Sequence, residues 1–329
     1  MSRKLPFPEV LALVTTRLEA AGIRRDHAVA MSEVIVAAEG DECQSHGFYR
    51  IEGCVAAVQS GKVRPHANPK ITGQDSAVVR VDADLGFAPL ALQLGREALI
   101  ETTRKHGIGL LAIRNCYHFS ALWADIEPVV DAGLVALAFT LGHHCVALSD
   151  GLRPAIGTNP MAFGTPLGPG GGSFIFDQSV SRVARGEVEL HRLSDRALPD
   201  GWAIDSQGQP TNDPQAALSG SLQAFGGHKG VTLGLMIELL AGPLLGDMSS
   251  AEALEIDTRD GGPLRGGYLM IAINPEGMVP GGGNLSAAGR FIAGLTRDNP
   301  QSRLPSARRR RARMRSMKEG IPVPDYLLA

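Results

Sequence analysis

Gly107-Ile108-Gly109-Leu110-Leu111-Ala112 has the glycine spacing of a dinucleotide-binding loop, and what flanks it decides the fold. Residues 89–105 ahead of it carry helical periodicity with a proline in the first turn, and residues 109–113 form an apolar strand. A phosphate-gripping turn must leave a strand and open a helix, and here the order is reversed. The two glycines therefore read as a helix stop followed by a strand. Gly226-Gly227-His228-Lys229-Gly230 has neither the spacing nor the Ser/Thr of a P-loop. The chain is α/β and non-Rossmann, and any nucleotide must be held by another geometry.

Outward from that stretch, residues 78–82, 134–140, 160–164, 174–176 and 268–274 read as strands, with a glycine-rich turn between the third and fourth. Residues 8–40 and 45–60 read as helical. Val10, Leu13, Val14 and Leu18 make one apolar face, and Val34, Ile35 and Ala38 another. Residues 62–68 form a connector, 118–131 a helix opened by the loop 115–118, 230–245 an apolar helix and 306–318 a basic one. Helices at both ends and strands in the middle predict a helical domain built from both termini, residues 1–70 with 290–329. It stands beside an α/β domain, residues 71–289, with a central mixed or antiparallel sheet.

Composition narrows the function. A chain of 329 residues, 44% hydrophobic and 20% charged, has the make-up of a globular protein of about two domains. A net charge of −2 gives no general attraction to nucleic acid or to an anionic membrane. The 40 glycines are nearly twice the usual share and imply tight turns and close backbone approaches. The four cysteines (Cys43, Cys54, Cys116, Cys145) have no CxxC or zinc spacing and read as reduced thiols. With no export-type apolar run near the N-terminus, a cytoplasmic location is expected.

The chemistry concentrates in Ser45-His46-Gly47-Phe48-Tyr49-Arg50. Ser45 reads as the N-cap of the 45–60 helix, with His46 and Arg50 one turn apart on one face. Arg50 can hold a carboxylate with two prongs while the imidazole passes a proton to the neighbouring carbon's substituent. The same hexapeptide is also an ordinary helix cap with a surface histidine and arginine. Residues 115–120 and Gly226 to Gly230 each precede a helix, so each is either an anion site or a turn. Asp177 ends an apolar strand, where a carboxylate caps a neighbour or orients an imidazole. His143-His144-Cys145 has no third ligand spaced for it, so no metal is expected. Arg308 to Arg311, Arg313 and Arg315 form a basic helix face that is solvated or grips a phosphate.

Together these pieces resemble the type-2 malate/L-lactate dehydrogenases, nicotinamide-dependent oxidoreductases with a non-Rossmann fold. The resemblance is carried by Ser45-His46-Gly47 with Arg50, Asn115 with His118-Phe119, and Gly157-Thr158-Asn159-Pro160. It continues through Asp177, Ala184-Arg185-Gly186-Glu187, residues 199–205, Gly226-Gly227 with Lys229-Gly230, and Arg303-Leu304-Pro305 with Arg308-Arg309. Residues 117–123 and the Gly-His-Lys-Gly loop are similar to the branch that reduces Δ1-piperideine-2-carboxylate and Δ1-pyrroline-2-carboxylate to L-pipecolate and L-proline with NADPH. Cys54 stands where hydroxyacid-specific members often carry tyrosine, and Ser306 where a glycine is common.

The resemblance implies Ser45, His46 and Asp177 as a proton relay, with Arg50 and Thr158 on the substrate. It implies His118, Phe119, Ser120, Ala121, Leu122, His228, Lys229, Arg303, Arg308 and Arg309 around NADPH, with NADH possible. It also implies a homodimer, a cyclic imino acid or 2-oxoacid as substrate, and no nucleic-acid or membrane partner. The second reading is a malate- or lactate-type 2-hydroxyacid dehydrogenase.

Overall fold

The computed structural model describes residues 3–149, 151–279 and 283–328. Its frame is a seven-stranded sheet in the order Lys70–Gly73, Val78–Asp82, Ile108–Tyr117, Arg265–Ile273, Val135–Thr140, Met161–Pro166 and Ser173–Gln178. Only Val78–Asp82 and Ile108–Tyr117 run parallel; every other neighbouring pair is antiparallel. The sheet is therefore mixed, as the sequence predicts. The parallel pair needs a crossover, supplied by the helix Ala88–His106. Gly107 ends that helix in the left-handed region at φ 80°, which confirms the glycine pair as a helix stop.

The central strand, Arg265–Ile273, comes from far down the chain and is inserted between Ile108–Tyr117 and Val135–Thr140. On one face Leu99, Leu111, Ile113, Ile126, Val130, Tyr268 and Met270 pack beneath the helices Ala88–His106 and Leu122–Asp131. On the other, Phe139 and Leu269 meet Val146, Ile156, Leu222 and Ile237. Those residues come from a five-stranded sheet and the helix His228–Ala241. Burial of both faces explains why these strands read as continuous apolar runs. The helix expected over 230–245 ends at Ala241, because Gly242 and Pro243 break it before the short 3-10 turn Pro243–Leu245.

The two ends of the chain meet. Strand Arg3–Leu5 pairs antiparallel with Ile321–Val323, and a separate core gathers Val10, Val14, Leu18, Met31, Ile35, Ile51 and Ile321. The basic helix Ala307–Glu319 docks on the helix Arg25–Gly40, and its arginines are the fasteners. Arg309 is only 5% exposed. Its guanidinium reaches Asp41 at 3.1 Å and Glu127 at 3.3 Å and lies 4.0 Å from the Trp123 ring centre. Arg313 joins Asp41 and Glu127, both at 2.8 Å. A buried guanidinium needs this degree of pairing to offset its desolvation. The helix Leu285–Asp298 belongs elsewhere: it lies on the Leu167–Gly168 turn and buries none of its residues.

Candidate active site

The turn that carries His46 differs from the expected helix start. Gln44–His46 is a 3-10 turn, and the α-helix begins only at Tyr49, running to Gln59. Ser45 is not its cap. The backbone N–H of Phe48 donates instead to Glu39 Oε2 at 2.9 Å, a carboxylate delivered by the preceding helix. Glu39 lies so close to Gly47 that any Cβ there would collide with it, which accounts for the glycine after His46. Freed from capping, Ser45 Oγ lies 3.2 Å from His46 Nδ1, and the Arg50 Nε–H donates to the Ser45 carbonyl at 2.7 Å. Ser45 and His46 lie on the 3-10 turn and Arg50 in the first turn of the helix after it, and His46 Nε2 makes no hydrogen bond among the described residues.

Burial, the Arg50 charge and the His118 ring together hold the His46 imidazole well below the usual histidine range. Asp177 stands differently from the expected relay. It makes no hydrogen bond to His46 among the described residues; its Oδ2 accepts from the Trp123 N–H at 3.1 Å, at the start of the helix Leu122–Asp131. Burial and the nearby Asp125 push its carboxyl up to about 6. The ring near both His46 and Asp177 is that of His118. His118 Nε2 lies 2.7 Å from Asp125 Oδ2, and the ring stacks on Tyr268 at 5.3 Å. The sequence reading missed Asp125 and Tyr268, since neither spacing nor charge singles them out.

Among the residues expected at a cofactor, Phe119, Ser120, Ala121 and Leu122 are buried. Ser120 Oγ is engaged by Asp125 Oδ1 at 3.0 Å. His228 and Lys229 are exposed at the start of a helix whose N-cap, Gly227, provides no side-chain cap. Gly226 and Gly227 both take left-handed φ, at 59° and 58°. This loop borders the Asp177 strand through the Phe225 N–H to Val180 carbonyl bond of 2.9 Å. Thr158 is partly exposed on the same rim, its N–H donating to the His143 carbonyl at 3.1 Å and its carbonyl accepting from the Val180 N–H at 2.9 Å. Asn159 behind it is fully buried and bonds Gly142 N–H, Gly234 carbonyl and Glu238, which fixes the rim.

The arginine segment divides. Arg303 and Arg308 are exposed, and Arg308 donates to the Glu42 carbonyl at 3.3 Å. Arg309, expected at the cofactor, is corrected to a fastener, because its guanidinium is already held between two carboxylates and Trp123. Ser306 takes φ 62°, a left-handed conformation that suits glycine, and its hydroxyl donates to the Ile175 carbonyl at 2.6 Å. Among the described residues no group of three His, Cys, Asp or Glu could hold a metal ion. Beside Arg50 opens a cleft of about 510 Å³, walled by Phe119, Cys54, Gly53 and Pro263. It is large enough for a small ring acid.

A fold of this kind, with His46 and Arg50 brought together beside His118 and no Rossmann unit, defines a class before it defines a protein. The model of the malate/L-lactate dehydrogenase family matches residues 5–329, and the chain belongs to that family. Within it the chain is 51% identical over 329 residues to a Delta(1)-pyrroline-2-carboxylate reductase of Ancylobacter novellus, covering 99% of this chain and 96% of the relative. It is 43% identical to a Delta(1)-pyrroline-2-carboxylate/Delta(1)-piperideine-2-carboxylate reductase of Pseudomonas aeruginosa, covering 98% and 97%. The crystal structure of a delta1-piperideine-2-carboxylate reductase from Pseudomonas syringae superposes with a TM-score of 0.93 at 36% identity, covering 99% and 98%.

The Asp177 environment makes a testable demand. A folded-state carboxyl at about 6, against an ordinary value of 3.8, binds more protons folded than unfolded between those pH values. Stability contributed by its protonated form is present below about pH 4 and lost as pH rises through 6. Asp177→Asn should therefore stabilise the fold by about 1–2 kcal/mol at pH 7–8, with the gain vanishing below pH 4. Denaturant unfolding across that range measures it, and a pH-independent difference would contradict the assignment.

Proposed function

We propose that this protein reduces cyclic imino acids, Δ1-pyrroline-2-carboxylate and Δ1-piperideine-2-carboxylate, with a nicotinamide cofactor. The observation that carries the reading is the Ser45–His46 pair with Arg50 bonded to the Ser45 carbonyl beside it, in a chain half identical to a reductase of that substrate class. The second reading, a 2-hydroxyacid dehydrogenase, rests on the family description alone.

The cofactor, when bound, supplies the hydride; the protein's residues orient the substrate and manage one proton. Arg50 holds the carboxylate, and His46 gives the imine nitrogen its proton through Nε2, with Ser45 steering the ring. Since the Arg50 charge is one cause of the low basicity of His46, a carboxylate seated on Arg50 removes that opposition and favours the imidazolium when substrate is present. Thr158 is assigned to the substrate, its backbone held by the His143 carbonyl and the Val180 N–H while its side chain is partly exposed. His46→Asn should lower kcat by about 10²–10⁴-fold while leaving NADPH binding intact. Oxidation of NADPH measured side by side with Δ1-piperideine-2-carboxylate, pyruvate and oxaloacetate tests both points; turnover of the oxoacids alone would transfer the function to the second reading.

The left-handed glycines and open helix start at Gly227–His228 suit the phosphates of a dinucleotide, and Lys229, Arg303 and Arg308 are exposed cations. We assign NADPH as the preferred form, its additional phosphate to Arg303 and Arg308. Replacing both by alanine should raise KM for NADPH by roughly tenfold and leave KM for NADH nearly unchanged, as paired guanidinium contacts to one phosphate require. Equal losses for both cofactors would move these arginines to the shared pyrophosphate.

A homodimer is the assembly we infer. The helix His228–Ala241 leaves Leu235, Met236 and Leu239 exposed at 43%, 37% and 54%, an apolar stripe that a second copy would cover. Light scattering should give twice the chain mass of 34.7 kDa; a fully active species at the single-chain mass would reject it. No helix among the described residues is long and apolar enough to cross a membrane, and the four cysteines are unpaired, which supports a cytoplasmic place.

A further inference from the structure

The loop 257–263 comes from far down the chain and closes on the helix Tyr49–Gln59, which carries Arg50. A Cβ on Gly53 would lie 3.0 Å from the Gly261 carbonyl oxygen, and one on Gly262 would lie 2.6 Å from the Gly53 carbonyl oxygen. The two backbones therefore meet with no room for a side chain. A buried lysine locks the loop there. Lys62 Nζ donates to Asp257 Oδ1 and to Asp260 Oδ1, both at 2.7 Å. Asp260 Oδ1 also accepts from the Gly262 N–H at 2.8 Å, and its Oδ2 from the Ser60 and Thr258 hydroxyls at 2.7 and 2.6 Å. The side chains of Lys62, Asp257 and Asp260 are only 5%, 7% and 8% exposed.

The same loop walls the cleft beside Arg50: Asp260 and Pro263 line it together with Arg50 and Cys54. Arg50 is the cation of that lining. Beyond its Nε bond to the Ser45 carbonyl it has no hydrogen bond or ion pair among the described residues. The acids of the lining are Glu52 and Asp260, and each is held by a cation from outside the cleft, Arg17 at 3.0 Å and Lys62 at 2.7 Å. The Glu52–Arg17 pair is open to water and weak, whereas a lysine buried between two aspartates is a fixed lock. Burial raises the Asp260 carboxyl, but the bonds from Lys62, Ser60, Thr258 and Gly262 outweigh it and bring it down to about 2. Asp260 is therefore a permanent negative charge on the wall of the cleft. Without Lys62 it would compete with a substrate carboxylate for Arg50.

We propose that Lys62 is a positioning residue for substrate binding: it locks the Asp260 carboxylate into the wall of the cleft and so leaves Arg50 to the substrate carboxylate. This rests on the imino-acid reductase reading of Arg50 and extends it to what keeps that arginine available. Lys62 stands outside the lining and acts through Asp260. Its charge and its two bonds matter together, because the charge cancels the acid and the bonds hold the loop against Gly53.

The test is calorimetric titration of the full chain with the planar ring acid pyrrole-2-carboxylate and with pyrrole-2-carboxamide, in saturating NADP+. The variants are Lys62→Gln, Lys62→Arg, Asp260→Asn and the double Lys62→Gln with Asp260→Asn. Lys62→Gln should weaken the acid by roughly tenfold or more and the amide hardly at all, with Lys62→Arg recovering most of the loss. The double variant should bind the acid nearly as the unaltered chain does, because a neutral residue 260 no longer competes for Arg50. Asp260→Asn alone keeps Lys62 on Asp257 and should bind the acid at least as tightly as the unaltered chain; this arm decides the matter even if Lys62→Gln does not fold. A purely structural pin predicts the opposite, with acid and amide weakened alike, the double no better than the single, and Asp260→Asn weaker; any of these overturns the proposal. Unchanged acid binding in Lys62→Gln, or a loss confined to NADPH as read by nicotinamide fluorescence, overturns it too. A chain that shows the expected pattern yet does not reduce the imines sinks the reductase reading and leaves the role of Lys62 standing.

Discussion

The insertion of the Arg265–Ile273 strand between Ile108–Tyr117 and Val135–Thr140 is the constraint on which the rest of the structure depends. It joins the two halves of the main sheet, and its register, Tyr268 opposite both Ile113 and Thr140, sets the core on each face. Tyr268 is fully buried by that placement and stacks on His118, so the strand also orients the ring next to His46. A pairing between residues so far apart in sequence is slow to form and strongly cooperative once formed, because the loop entropy is recovered only when both neighbours engage.

Around this frame stands the candidate site. His46, Arg50 and His118 come from two segments, and acids near them are taken up by the architecture. Glu39 receives the Phe48 N–H, Asp125 meets His118 and Ser120, and Asp177 receives the Trp123 N–H. Asp41 and Glu127 are likewise taken by Arg309 and Arg313. The low basicity of His46 and the raised carboxyl of Asp177 are two consequences of the same burial.

Local signals carry a definite part of this. The αL stop at Gly107, the proline-opened helix at Ala88–His106 and the apolar strands are legible because each depends on neighbours in sequence. Ser45, His46 and Arg50 are legible for the same reason, and the structure keeps them in contact across the junction of a 3-10 turn and the helix after it. The cap of that turn is not, because its acceptor is Glu39 on another helix rather than Ser45. Arg309 reads as one more basic residue in a run. Only the docking of its helix against Asp41, Glu127 and Trp123 separates it from the exposed Arg308 one position earlier.

By itself the sequence determined the strands of the main sheet, the helix stop at Gly107 and the absence of a Rossmann turn, which follow from residue type and short-range spacing. Tertiary structure alone decided which charges are paired. Whether Asp177 meets an imidazole or the Trp123 N–H, and whether Arg309 is exposed or fastened, depends on groups 54 and 268 residues apart in the chain. Coulomb interactions and desolvation act through space, and no periodicity along the chain encodes those distances.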